Sequence, residues 1–192
     1  NQPIRSLSFS KEEKVIVQSL HLLTDKPMIY IANVGENDLA NVQENQEYLH
    51  LKKQAESENA KIIPVCAKVE EDLSSLTAEE KQLFMEELQI KESGLDQLIK
   101  ATYELLGLET FYTSGKDECR AWTFKKGMKA PQCAGIIHSD FERGFIKAEV
   151  YHFQDLLQYQ SEQAVKENGK CRLEGKEYVM KDGDIVYFKF NV

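Results

Sequence analysis

Two short, almost wholly apolar runs constrain most of what the first half of this chain can fold into. Met28-Ile29-Tyr30-Ile31-Ala32 is one, and Lys61-Ile62-Ile63-Pro64-Val65-Cys66-Ala67 is the other. An apolar run without alternation predicts a strand covered on both faces, as in parallel sheets flanked by helices. Between them lie a polar loop from Asn33 to Asn41 and a helical stretch through Tyr48, Leu49, Leu51 and Lys52. Lys68-Val69 leaves the second strand. Helices are predicted over 77–88 and 94–106, where apolar residues recur at three- and four-residue steps. Upstream, Ser10 and Glu13 fit a capping box, and Val15, Ile16, Leu20 and Leu23 keep helical spacing until Thr24-Asp25-Lys26-Pro27 ends it. Strand, helix, strand, helix is part of an α/β sheet. Two strands are few for a free-standing sheet, so this half reads as incomplete.

The second half has a different character. Residues 1–109 carry 11 Lys/Arg against 20 Asp/Glu, whereas residues 110–192 carry 13 against 12, and 13 of the 18 aromatic residues fall after 109. The shift suggests two domains, 1–109 and 110–192. Candidate strands in the second are 110–113, 119–124, 134–138, 145–151, 171–173 and 184–190, with helices near 153–159 and 161–167. Lys181-Asp182-Gly183-Asp184 reads as the turn into the last strand. Short strands around one main helix within about 80 residues predict a small α+β module.

Several function classes are disfavoured. The net charge of −8 argues against wholesale coating of nucleic acid by counterion release, though not against a local basic patch. No apolar run approaches the roughly 18–20 residues of a membrane-spanning helix. Asn1-Gln2-Pro3-Ile4-Arg5 has no secretory character, and without an initiator Met the chain reads as a fragment. Cys66, Cys119, Cys133 and Cys171 show no zinc-binding spacing and read as reduced thiols of a cytoplasmic protein, the last three as small core residues. His21, His50 and His152 show no ligand spacing, so neither a metal site nor a membrane partner is expected.

In an open α/β sheet, ligands bind outside the carboxyl ends of the strands. Two loops leave such ends here, Asn33-Val34-Gly35-Glu36 and Cys66-Ala67-Lys68. Two readings stand for the first. Asn33 caps a turn and Glu36 is solvated, or Asn33 ties the two loops together while Glu36 accepts from the N–H groups of a nucleobase.

These two loops resemble the fourth and fifth nucleotide-binding motifs of a P-loop GTPase-type domain. The N-x-x-E form is that of the YchF/Obg-like ATPase family, where most such domains have N-K-x-D. Arg5-Ser6-Leu7, Leu22-Leu23-Thr24-Asp25-Lys26-Pro27 and Tyr30-Ile31-Ala32-Asn33-Val34 resemble the family's approach to that motif. Further segments are similar to its TGS domain. These are Arg120-Ala121-Trp122-Thr123, Lys129-Ala130-Pro131-Gln132, Gly135-Ile136-Ile137-His138-Ser139-Asp140-Phe141-Glu142-Arg143-Gly144-Phe145-Ile146-Lys147-Ala148-Glu149-Val150 and the ending Asp182-Gly183-Asp184-Ile185-Val186-Tyr187-Phe188-Lys189-Phe190-Asn191-Val192.

The resemblance implies an α/β fold: the C-terminal part of a P-loop GTPase-like nucleotide domain, then a small α+β ubiquitin-like (β-grasp) TGS domain. It implies Asn33, Val34, Glu36, Cys66, Ala67 and Lys68 as the nucleotide-binding residues, ATP as the nucleotide in preference to GTP, and a ribosome or ribosomal subunit as partner. The preference has a physical basis. A GTPase-type Asp accepts two hydrogen bonds from guanine, and lengthening it to Glu with Val34 in place of Lys spoils that fit; a site built for a donor pair discriminates sharply once the pair is lost. The phosphate-cradling G-x-x-x-x-G-K-[ST] loop has no counterpart here. Its absence implies that Mg²⁺ ligands lie upstream, that no catalytic residue is present, and that this chain is inactive alone.

Two other clusters invite a role. His138, Asp140 and Arg143 lack a nucleophile beside them and read as an ordered turn between strands or a partner-binding surface. Lys125, Lys126 and Lys129, near Trp122 and Phe124, read either as an RNA contact beside an aromatic platform or as a solvated turn. The alternative function is a non-catalytic interaction module that binds a ribosomal, RNA or protein partner through the TGS domain.

Overall fold

The computed structural model describes residues 2–115 and 118–191; Asn1 and Val192, at the ends of the quoted segments, lie outside them. The chain divides into two compact units, Asn1–Leu105 and Leu106–Val192.

The first unit begins with helix α1 (Lys11–Ser19), whose capping box forms as its sequence predicts. The Ser10 hydroxyl accepts from the Glu13 amide, and the Glu13 carboxylate accepts from the Ser10 amide. Strand β1 (Ile29–Asn33), helix α2 (Gln46–Ser57) and strand β2 (Lys61–Val65) follow. β1 and β2 are parallel, with Ile29 opposite Lys61 and Asn33 opposite Val65. The expectation of strands covered on both faces is corrected: Ala32 is the buried residue of β1, and Ile31 is 51% exposed. The apolar run reports the chemistry of these faces, and the described residues cover only part of them.

Next come α3 (Ala67–Ser74), α4 (Ala78–Glu87) and α5 (Gly94–Leu106). Helix α3 replaces the loop expected at Ala67 and Lys68. Val69 and Leu73, four residues apart, bury its inner face beside Cys66, with Phe84, Met85 and Leu88 of the α4 region packed against them. A second small core joins Ala32, Val42 and Tyr48, with Val34, Leu51 and Ile62 at its rim.

The second unit opens with the antiparallel pair β3 (Leu108–Ser114) and β4 (Cys119–Lys125). Helices α6 (Ala130–Ile137) and α7 (Ser139–Arg143) follow, then β5 (Phe145–His152), α8 (Phe153–Tyr159), α9 (Glu162–Glu167), β6 (Arg172–Glu174) and β7 (Asp184–Phe190). The sheet order is β4-β3-β7-β5-β6, with β3 and β7 parallel in the middle. A hairpin, a helix and a second pair of strands with the last strand inserted beside the first make a β-grasp-like arrangement. Its core gathers Phe111, Phe124, Phe145, Val150 and Phe188 with Ala130, Cys133 and Ala134 of α6. Phe111 stacks on Trp122 and meets Phe124 and Phe188 edge-on.

The strand expected over 134–138 is helix instead. Pro131 sits in the first turn of α6, the Gln132 side chain accepts from the Lys129 amide, and Ala130, Cys133 and Ala134 bury the i, i+3, i+4 stripe of a helix. The turn expected around His138 is likewise the N-terminus of a short helix that follows α6. His138 Nδ1 accepts from the Asp140 amide at 3.1 Å.

Candidate functional site

Asn33 is the last residue of β1, Val65 the last of β2, and the two stand side by side in the register. The chain therefore leaves both strands at one edge of the sheet. The Val34 amide continues the ladder one step further, donating to the Val65 carbonyl at 2.8 Å. Cys66, buried, then takes the N-cap position of α3 without a side-chain hydrogen bond of its own. An amide left unpaired in the first helical turn needs an acceptor from elsewhere. Asn33 supplies it, with Oδ1 accepting from the Ala67 amide at 3.2 Å.

A second contact joins the same loops. Lys68 Nζ lies 3.2 Å from Glu36 Oε2, both groups being open to solvent. The Glu36 carboxylate, and more distantly Asp72, raise the Lys68 ammonium above the ordinary lysine range. Val34 turns instead into the cluster of Ala32, Val42 and Tyr48.

The first loop is held from behind. Asp38 Oδ2 accepts from Asn45 Nδ2 at 3.3 Å, and Asn45 Oδ1 caps α2 through the Tyr48 amide at 3.0 Å. An added Cβ on Gly35 would lie 3.3 Å from that Asp38 oxygen, so the turn is closely fitted. A cavity of about 290 Å³ opens beside it, lined by Asn33, Val34, Gly35, Asp38, Asn45 and Tyr48 among others.

The structure thus pairs Asn33 with Ala67 and Glu36 with Lys68, while Val34 packs with Ala32, Val42 and Tyr48 and Cys66 with Val69 and Leu73. As a donor set they suit a planar heterocycle edge: a carboxylate acceptor, an ammonium, and the carboxamide NH₂ of Asn33, whose oxygen is already engaged. Sequence spacing did not disclose Glu70. From α3 its carboxylate accepts from the amides of Gly94 at 2.7 Å and Leu95 at 3.3 Å, capping α5. A cap that comes from another helix leaves no local pattern to read. Among the described residues, no group of three or more His, Cys, Asp or Glu could hold a metal ion.

The other candidates are placed differently from expectation. Phe124 is only 2% exposed, so it forms no aromatic platform. Trp122 donates from Nε1 to Thr113 Oγ1 at 3.0 Å, and the Arg120 guanidinium covers its ring at 4.2 Å. Lys126 pairs with Glu109 at 3.4 Å and Lys129 with Glu177 at 2.5 Å. Asp140 pairs with Arg143 within α7. Of the cysteines expected in the core, Cys133 is buried, but in α6 rather than a strand. Cys119 is exposed at the start of β4, and Cys171 is half-buried. No helix among the described residues is long and apolar enough to cross a membrane.

Comparison with known proteins adds four observations. A family model described as YchF-GTPase_C, a protein of unknown function (DUF933), matches residues 108–191. The chain is 57% identical over 191 residues to the Bacillus subtilis protein named ribosome-binding ATPase YchF, covering 100% of this chain and 52% of that protein. It is 45% identical over 183 residues to Obg-like ATPase 1 of Gallus gallus, covering 94% and 46% respectively. The chain thus spans about half the length of the curated relatives it matches. Among solved structures, the YchF GTPase of Schizosaccharomyces pombe superposes with a TM-score of 0.85 at 42% identity, over 98% of this chain and 50% of that one.

Proposed function

We propose that this chain, similar throughout to the C-terminal part of YchF-family proteins, supplies the base-recognising end of a ribosome-associated nucleoside-triphosphate hydrolase. On this reading residues 1–109 are the end of an OBG-type nucleotide domain, and residues 110–192 are a TGS domain that serves as the partner-binding arm. The nucleotide is ATP in preference to GTP. Phosphoryl transfer is almost entirely positioning and charge stabilisation around the phosphates. The groups that perform it, with the Mg²⁺ ligands, belong to the remainder of the longer protein, so the present chain is inactive alone.

The observation that carries the reading is the Asn33–Ala67 hydrogen bond, which unites the loops leaving two parallel strands and sets Glu36 and Lys68 beside them. Asn33 orients a purine and Glu36 reads its edge. The names of the relatives support the ATPase and the ribosome as partner, and with the ribosome a cytoplasmic location. Parallel titration of ATP and GTP into the full-length protein tests the reading. Tighter binding of ATP is expected; tighter binding of GTP would sink the specificity argument while leaving the fold assignment standing.

A second reading has one observation in its favour: the unit from Leu106 has its own closed aromatic core. It would then act as a non-catalytic module docking on a ribosomal, RNA or protein partner. Contact with RNA through Lys125, Lys126 and Lys129 would have to displace the Glu109 and Glu177 carboxylates from two of the three lysines. Co-sedimentation with ribosomes that persists without nucleotide would favour this reading.

A further inference from the structure

Lys68 Nζ stands 3.2 Å from one oxygen of the Glu36 carboxylate, Oε2, and the pair joins the turn that leaves β1 to the first turn of α3, which follows β2. Anything that engages one of those oxygens alters what Glu36 can read. A free carboxylate offers two acceptors side by side. Guanine presents two donors side by side, its ring N1–H and its exocyclic amino group. With an ammonium bonded to Oε2, the stronger remaining acceptor is Oε1, and Glu36 and Lys68 together present that acceptor beside a donor. The adenine edge is the complement of that pair, with an amino donor at position 6 beside the ring acceptor N1.

We propose that Lys68 is a specificity-determining residue that favours adenine over guanine nucleotides by turning the Glu36 carboxylate from a two-acceptor reader into half of an acceptor–donor pair. The inference rests on the base site lying at Asn33 and Glu36.

Three observations converge on Lys68. Val34, the neighbour of Asn33 in the chain, is apolar and packs against the Ala32, Val42 and Tyr48 cluster, so the cation beside Glu36 comes from the first turn of α3. Asn33 cannot discriminate: its Oδ1 is taken by the Ala67 amide, and the NH₂ that remains suits the N7 acceptor common to both purines. The carboxylates facing Lys68 are Glu36 from the first loop and Asp72 one turn along α3, and both favour its charged form. An exposed ion pair of this kind contributes little to folding, so its removal leaves the protein intact.

The test titrates ATP and GTP into the full-length protein and into its Lys68→Met, Lys68→Arg and Asn33→Ala variants. Lys68→Met is expected to lower the ATP-over-GTP affinity ratio about tenfold, chiefly by strengthening GTP, because it frees the second carboxylate oxygen. Lys68→Arg, which keeps the donor, is expected to restore most of the ratio. Asn33→Ala is expected to weaken both nucleotides alike. An unchanged ratio in Lys68→Met, with both nucleotides weakened by Asn33→Ala, would overturn the role of Lys68 and leave the base site standing. Full affinity for both nucleotides in Asn33→Ala would overturn the base site itself and this inference with it.

Discussion

Asn33 and Ala67 lie 34 residues apart in the chain, yet the side chain of the first closes the helix that the second begins, Oδ1 accepting the Ala67 amide at 3.2 Å. One carboxamide therefore serves as the end of a strand, the cap of a helix and the clasp between two loops. Its removal should be felt in stability as well as in binding.

Replacing Asn33 by Ala removes a helix cap and is expected to cost about 1 kcal/mol. Asn33→Asp, which keeps the acceptor, should recover most of that loss. Urea denaturation followed by circular dichroism measures both, and equal stability of the Ala variant and the parent would mean that water replaces the cap without cost.

The double substitution Val34→Lys with Glu36→Asp restores the residue types that suit guanine. It is expected to raise GTP affinity relative to ATP in the full-length protein. Because Val34 packs against Ala32, Val42 and Tyr48, the change should also lower stability by about 1 kcal/mol. Competition binding against a fixed nucleotide reads the first effect, and unaltered base preference would count against the site.

The β-grasp core should respond strongly to Phe111→Ala. Phe111 is fully buried and touches Trp122, Phe124 and Phe188. Losing it is expected to cost about 3–5 kcal/mol. Trp122 is the single tryptophan of the chain and belongs to this unit, so its fluorescence follows that unit's unfolding selectively. A shift of less than about 1 kcal/mol would mean the core refills the space.

Burial, with the Asp184 carboxylate adding to it, pushes the Cys133 thiol up from 9.0 to about 12. The folded state therefore holds its proton where the unfolded chain releases it. The stability it contributes is whole below 9.0 and is lost as pH rises towards about 12. Iodoacetamide at pH 8 should accordingly alkylate exposed Cys119 and spare Cys133 until denaturant is added. Mass spectrometry of the labelled peptides decides it; prompt labelling of Cys133 would show that α6 opens readily.

Some elements were legible because their signal is local. Strand 184–190 and helix 94–106 coincide with β7 and α5, and the Ser10–Glu13 box forms as its spacing requires. The run from Ala134 to His138 misled because it is short and apolar all round, where periods of 2 and 3.6 look alike; Pro131 in the first turn was the cue that favoured a helix. Lys68 was recognisable as part of a loop beside a strand end, but its hold on Glu36 depends on parallel pairing that brings residues 32 apart together. Glu70 and its cap on α5 left no trace in spacing for the same reason.

The two-stranded sheet of the first unit has a practical consequence. Among the described residues β1 and β2 pair only with each other, so each strand keeps a full row of backbone donors and acceptors along its outer rim, and Ile31 stands half-exposed on the face between. Such rims template further strands. In concentrated solutions of this chain they would recruit one another, and light scattering that grows with protein concentration would report that association.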